Sequence, residues 1–535
     1  MAKAAAEEKA RLAAEEDQWI HRCIAKAVAE DWTAFDEAPR EIRSLVWAEL
    51  MGGSIFAMKL KTKWLGKARI NVDKLRDAPK QLLADGDFMA VAAAQTDGAA
   101  LRWASTALLA DADFNRKAHA ALAEHFNEDL PEDERDQQRF TSHASLNAGL
   151  ADGSTALVLA SYLISLADQS LPLSHRAALP PEAFLPEGTP IWRHDTDGRD
   201  ESVYNVVLVV ALSYMWQSAD HPDPDGGQLR DVARFLRWLQ STEKYKKRTV
   251  AVFWDWASLY QDKPGEGLAG SRTEEQALSF QSGSQNVHLW FGHTKVISLL
   301  STSQPPGRSF DYFEGGWTTF EKFVSEFRKH KSMVLVLEEV FKVLDDEAVK
   351  DPQYRFARLN KESYDKVAEV SGKSAHRSLA LAPDSMDDVL ARKKFTESAD
   401  IGVLQDLYRK SFHAVVCEVT ELNFGSAAGE DAYSLITTEE WQAFCRDVVP
   451  LCVRLETLSL NRNAHLAVDI AELVAKLPPT LKELNLNNTG CSGDAGKADW
   501  ARLEVLEEVR LEATQVTGSY NDLRIAGCKA RAVWI

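Results

Sequence analysis

Apolar residues in this chain gather in short unbroken runs near its middle. One runs from Val203 to Trp216 (Val-Tyr-Asn-Val-Val-Leu-Val-Val-Ala-Leu-Ser-Tyr-Met-Trp). A second runs from Thr249 to Gln261 and a third from Lys295 to Thr302. Runs of this length, rich in β-branched and aromatic residues, predict strands, placed near 204–212, 249–255 and 295–300. Between them the apolar positions change period. Leu229, Val232, Phe235, Leu236 and Leu239 share one face of a helix over about 228–241. Further helices are expected over about 272–291 and from Trp317 to about Lys329, with a short apolar element at Met333–Leu337. Apolar strands alternating with amphipathic helices predict a parallel sheet covered on both faces.

The flanking regions have different patterns. Residues 1–30 are rich in Ala, Glu, Lys and Arg and read as a solvated helix. The helical pattern continues to about 128 and contains an echo: Ala84-Asp-Gly-Asp-Phe88 returns as Ala110-Asp-Ala-Asp-Phe114, 26 positions on. Each Asp before its apolar run is a candidate N-cap. The echo resembles a short helical repeat found in protist proteins. Residues 154–167 read as a buried helix, and Pro172, Pro180, Pro181, Pro186 and Pro190 then mark an irregular wrap. Residues 341–445 read as mostly helical, with a helix at about 402–414. Beyond them Leu455-Glu-Thr-Leu-Ser-Leu460 recurs as Leu481-Lys-Glu-Leu-Asn-Leu486 and Leu506-Glu-Glu-Val-Arg-Leu511. This matches the leucine-rich-repeat pattern LxxLxLxxN, with Asn463 in the first copy and Thr489 and Thr514 in the later two. Five segments result: 1–128 helical, 129–200 helix and linker, 201–340 α/β, 341–445 helical extension, and 446–535 leucine-rich repeat.

Charge narrows the partners. A net charge of −18 argues against a broad nucleic-acid footprint, which needs clustered Lys and Arg. Lys59–Lys67 is a local basic patch that reads as a solvated face. The six cysteines form no CxxC pair, so neither a zinc site nor a disulfide framework is expected. No run of about 18 apolar residues suggests a membrane span. The expected location is intracellular and cytoplasmic, with an organelle left open. No metal site is expected: His288 and His293 lack a third ligand, and His221–Gly226 lacks the spacing of a calcium loop.

In open α/β sheets, ligands bind beyond the carboxyl ends of the strands. Ser213, Tyr214, Trp216, Asp255, Ser258 and Gln261 fall at or just past such ends. Three stretches in this region, Leu212-Ser-Tyr-Met-Trp-Gln217, Phe253-Trp-Asp-Trp-Ala-Ser-Leu-Tyr-Gln261 and Gly315-Gly-Trp-Thr-Thr-Phe-Glu321, occur in the order of the signatures of heterokaryon-incompatibility (HET) domains, which they resemble. The chain departs from that pattern at Gln217, Ser258, Tyr260, Gly315 and Phe320. HET domains are in turn similar to TIR domains. The resemblance implies an α/β, TIR-like (flavodoxin-like) parallel sheet core, between an N-terminal all-α region and a C-terminal leucine-rich-repeat stub.

Some TIR domains cleave NAD with a Glu in a WxxxE arrangement, and Trp317 and Glu321 have that spacing, which puts both on one helix face. By that resemblance Glu321 is the candidate catalytic carboxylate and NAD a possible substrate, with no cofactor certain. A carboxylate suits the chemistry, because loss of nicotinamide leaves an oxocarbenium-like ribosyl centre. Tyr214, Trp216 and Trp317 offer flat surfaces for a base. Two functions follow from these observations. One is an interaction or adaptor protein with partners on its helical and leucine-rich repeats and possible self-association; the other is an NAD-cleaving enzyme.

Overall fold

The computed structural model describes residues 55–192, 207–218, 220–246, 248–262, 271–327, 329–350, 364–368, 371, 378–395, 399–417, 419–425 and 436–534. The helix expected over 1–30 and the first residues of the strand expected over 204–212 lie outside them. The chain divides into two compact units, Met1–His125 with Gly188–Tyr204, and Phe126–Glu187 with Asn205–Ile535.

The first unit is helical where described. Its main helices are α1 (Ile55–Ile70), α2 (Gly86–Gln95) and α3 (Ala112–Glu124). The two halves of the echo start α2 and α3. Asp85 accepts from the Phe88 amide at 2.8 Å, and Asp111 accepts from Phe114 at 3.0 Å, so each caps its helix as the sequence predicts. Phe88 and Phe114 then enter a core with Leu75, Leu82, Met89 and Leu101. The turn after α2 passes through Asp97 and Gly98 at φ of 50° and 81°. A side chain at Gly98 would meet Trp192, so this position combines a left-handed backbone with a close approach.

The second unit holds two main sheets. The first contains β1 (Val158–Leu159), β2 (Val207–Ser213), β3 (Thr249–Phe253), β4 (Ile297–Leu300) and β5 (Val334–Val336), in the order β1-β3-β2-β4-β5. β2, β3, β4 and β5 are parallel, and β1 adds antiparallel to β3. Val210 lies opposite Val252 on one side and Ile297 on the other. On one face Leu208, Val210, Val252 and Leu299 pack with α4 (Ala160–Asp168) and α5 (Gly227–Ser241). Beyond α6 (Glu274–Gln285), the other face meets α7 (Val287–Gly292) and α8 (Gly316–Glu326), where Phe253 stacks on Trp290 at 5.7 Å. α9 (Leu337–Lys350) follows β5, and α10 (Asp400–Phe412) packs on α8.

Two stretches differ from expectation. Residues 154–167 are not one helix, because Val158 and Leu159 are extended and pair with β3, whose outer edge would otherwise leave backbone groups unpaired. The helix expected over 272–291 breaks at Asn286 (φ −103°, ψ 2°), which turns Trp290 and Phe291 onto the sheet.

The second sheet is wholly parallel. Its region comprises β6 (Glu421–Asn423), β7 (Thr457–Ser459), β8 (Glu483–Asn485), β9 (Ser492–Asp494), β10 (Glu508–Arg510), β11 (Gln515–Thr517) and β12 (Ala532–Trp534). The sheet runs β12-β10-β8-β7-β6, and β9 pairs with β11 separately. Leu422, Leu458, Leu484 and Val509 occupy one register row and point inward. Asn463 donates to the carbonyls of Phe424 and Leu460, and in the later coils Thr489 and Thr514 each donate to one carbonyl, of Leu486 and Leu511. A hydroxyl therefore makes one of the bonds of the amide it replaces. The three coils read from sequence gain β6 before them and β12 after them.

Mixed α/β architecture with parallel sheets agrees with the expected fold class. Asp85→Ala is expected to lower the stability of the α2 region by about 1 kcal/mol, and Asp111→Ala that of α3 by a similar amount. Hydrogen exchange of the helix amides reads both losses. Asp85→Asn keeps the cap but removes the ion pair with Lys61, so it should cost less.

Candidate functional site

β2 ends at Ser213, between β3 and β4, where the first two parallel crossovers part in opposite directions. The order of the four parallel strands by position in the chain is second, first, third, fourth, and the crevice beyond the first and third is a topological switch point. α8 crosses this point. Its start is fixed by Gly316, whose amide donates to the Lys394 carbonyl at 2.9 Å and whose missing side chain leaves room for the Phe395 ring. Alternation along β2 turns Ser213 toward α8. There the Ser213 hydroxyl donates to Glu321 Oε2 at 2.5 Å. With its only proton used in that bond, Ser213 accepts from the Tyr312 hydroxyl, 2.6 Å away; a Glu321 that donated its own proton to Ser213 would reverse both bonds. Tyr312, Ser213 and Glu321 thus form one continuous chain of hydrogen bonds. Ser213 and Tyr312 are sealed, whereas Glu321 keeps 8% of its surface.

Burial holds the Glu321 carboxyl well above the usual range, against the opposing pull of the Ser213 hydrogen bond; the nearby Asp255 charge raises it further. Tyr312 is also raised well above a normal phenol, by burial first and then by the Glu321 charge. Burial thus shifts both the Glu321 carboxyl and the Tyr312 phenol toward their protonated forms.

Asp255 lies across the end of β3. Its Oδ1 accepts from the Tyr214 hydroxyl at 2.8 Å and the Trp256 amide at 2.7 Å, and its Oδ2 from the Trp216 indole at 3.0 Å. Burial raises its carboxyl too, while the Tyr214 and Trp216 hydrogen bonds pull the other way. The Gln261 amide donates to the Asp255 carbonyl at 3.1 Å and so braces the turn from outside. Ser258 is sealed within that turn, accepting from the Trp254 amide at 3.0 Å. Trp254 and Trp256 are core residues.

The eight candidate residues therefore fall into distinct groups. Ser213 and Glu321 meet. Tyr214, Trp216, Asp255 and Gln261 form a second group beside them. Ser258 closes the turn beneath. Trp317 shares the helix with Glu321, but its indole donates to Asp400 of α10 at 2.8 Å. Tyr312 and Arg308, which donates to the Trp216 carbonyl at 2.6 Å, are additional participants. The signal for Tyr312 lies in Asp311-Tyr-Phe-Glu314, a capping box that sets the turn before α8.

Two cavities lie elsewhere. One, of about 450 Å³, is bordered by Phe126, Arg139, Asp152 and Asn286. The other, of about 210 Å³, lies on the open face of the second sheet, over Thr457, Ser459, Glu483 and Asn485. Among the described residues, no group of three or more His, Cys, Asp or Glu is placed to hold a metal ion. His288 is pushed down to about 3 by burial, and His293 Nε2 lies 2.8 Å from the Ser142 carbonyl. No described helix is long and apolar enough to cross a membrane.

The raised carboxyl of Glu321 has a consequence for stability. A group whose folded pKa exceeds its unfolded value of 4.5 stabilises fully below that value and progressively less as pH rises toward the folded one. Glu321→Gln keeps an oxygen for Ser213 and removes the ionisation. The variant is expected to gain more thermal stability over the parent chain at about pH 8 than at about pH 4. Equal differences at both pH values would contradict a neutral, buried Glu321. Compared with family models, curated proteins and solved structures, the chain matches none.

Proposed function

We propose that this chain is a multi-module interaction or adaptor protein. Its central sheet is read as a TIR-like (flavodoxin-like) core related to HET domains, its N-terminal region as helical repeats and its C-terminal region as a leucine-rich-repeat segment. The observation that carries the proposal is the open face of the second sheet. Parallel sheets are ordinarily covered on both faces, yet here Glu421, Asn423, Glu508 and Arg510 leave one face polar and border a groove. Repeats that stack in this way present such a face to partners.

Affinity capture with the full chain is expected to recover a stoichiometric partner. Thr457 lies at the middle of the face and its side chain makes no hydrogen bond, so Thr457→Trp adds bulk without breaking the fold. Recovery should fall at least about tenfold. Full recovery by that variant would remove the face from the interaction.

A second reading is favoured by the switch-point position of Glu321 and by the unequal environments of Glu321 and Asp255, a pattern that suits acid–base division of labour. It is NAD cleavage, in which the bond from ribosyl C1′ to the nicotinamide nitrogen breaks, its electron pair leaves with the ring, and water adds to C1′ with release of a proton. The cationic nicotinamide ring, brought beside Glu321, would favour the ionised carboxylate over the neutral acid. Pure protein at high concentration is then expected to release free nicotinamide from NAD, and Glu321→Ala to abolish the release. Absence of release, or release unchanged in the variant, would sink the enzymatic reading.

A further inference from the structure

The charge pattern on the open face narrows what that face can hold, and the inference rests on reading it as a contact surface. Register aligns two rows of outward residues across neighbouring strands. One is Glu421, Thr457, Glu483 and Glu508; the other is Asn423, Ser459, Asn485 and Arg510. Within this set Arg510 already holds Glu508, with Nε 2.6 Å from Oε1. Glu421 and Glu483 are exposed and make no such direct hydrogen bond or ion pair, although Glu483 lies within the field of Arg510. They flank Thr457 on strands two apart.

We propose that this face binds an extended basic segment of a partner polypeptide, with cationic side chains about three residues apart. Strands lie about 4.8 Å from their neighbours, so Glu421 and Glu483 rise from backbone positions roughly 9.6 Å apart across the sheet. A polyproline II segment rises about 3.1 Å per residue with three residues per turn, so every third side chain returns to the same side after about 9.3 Å. A β-strand ligand, with same-side residues about 6.7 Å apart, fits that spacing poorly. A polyproline II backbone makes no internal hydrogen bonds, and the amides and hydroxyls of Asn423, Ser459 and Asn485 border the track where its peptide groups would lie. The charge of the whole chain, −18, disfavours a second copy as occupant and equally disfavours nucleic acid.

The test uses the full chain and a peptide labelled at its N-terminus, fluorescein-(Arg-Pro-Pro)3-amide, followed by fluorescence anisotropy. Saturable binding is expected, weakening between about 50 and 300 mM salt. Combining Glu421→Lys with Glu483→Lys should weaken it at least about tenfold. The same reversal at two exposed residues outside the face, Glu182→Lys with Glu187→Lys, should leave it unchanged. A peptide of equal composition with its arginines adjacent should bind more weakly. The substituted side chains are all exposed, so circular dichroism should show parent-like folding in both variants. The proposal is overturned by absence of saturable binding, by equal loss in both double variants, by no loss in the face variant, or by equal binding of the two peptides. If Thr457→Trp blocks partner capture while the spaced peptide does not bind, the contact surface stands and the basic occupant falls.

Discussion

Because β2 pairs in parallel with β3 on one side and β4 on the other, and all seven of its residues are buried, any polar group it carries must be satisfied inside the protein. Six of those residues are apolar and meet that constraint by packing. Ser213, the seventh, meets it with two hydrogen bonds, to Tyr312 and Glu321. That requirement fixes where α8 can lie, since the residue bonded to Ser213 must come from the element above it. One turn further along α8, Ser325 faces the sheet in the same way and donates to Ser298 of β4 at 2.8 Å. A polar seam thus joins α8 to two adjacent strands, at positions where apolar packing alone would leave the helix free to slide.

The seam also separates two carboxyls that lie near each other. Asp255 has three donors within 3.0 Å, spread over both its oxygens. Glu321 has one. Hydrogen bonds to the ionised form lower a carboxyl's pKa and burial raises it, so the less supported group is the one more easily kept neutral. The same three donors make Asp255 the clamp that orients Tyr214 and Trp216, and Arg308 fixes the Trp216 carbonyl from the other side. The strand ends are therefore cross-braced by hydrogen bonds beside the Glu321 carboxyl.

Much of this frame was legible in the residues, for physical reasons that differ by element. β2, β3 and β4 are short continuous apolar runs rich in β-branched residues, the pattern of strands buried on both faces. Asp85 and Asp111 act locally, through amides within three residues, so their role as caps could be read without tertiary information. The Leu pattern of the second sheet repeats, and repetition multiplies a weak signal. What escaped depended on contacts distant in the chain. The break at Asn286 serves the packing of Trp290 on Phe253, and the strand at Val158–Leu159 exists because β3 has an edge to cover. Within the site, the spacing of Trp317 and Glu321 located both on one helix, but spacing carries no information about Asp400, which takes the Trp317 indole. Tyr312 was hidden because its partner Ser213 lies 99 positions earlier.

The two main sheets of the second unit treat the same backbone geometry in opposite ways. In the first, helices cover both faces, and the polar groups that remain are bonded to one another at the strand ends. In the second, the inward row of Leu458, Leu484 and Val509 packs behind the strands, while the outward rows carry charge, amide and hydroxyl groups into solvent. The three-residue strands are pinned in register from outside the ladder, by Asn463, Thr489 and Thr514 bonding to carbonyls at the bends. Of the outward residues, Asn423 and Asn485 accept from the amides of Gly425 and Asn487 in the following turns, whereas the Glu421 and Glu483 side chains make no such bond. Register places Glu421, Thr457 and Glu483 in one row of that face.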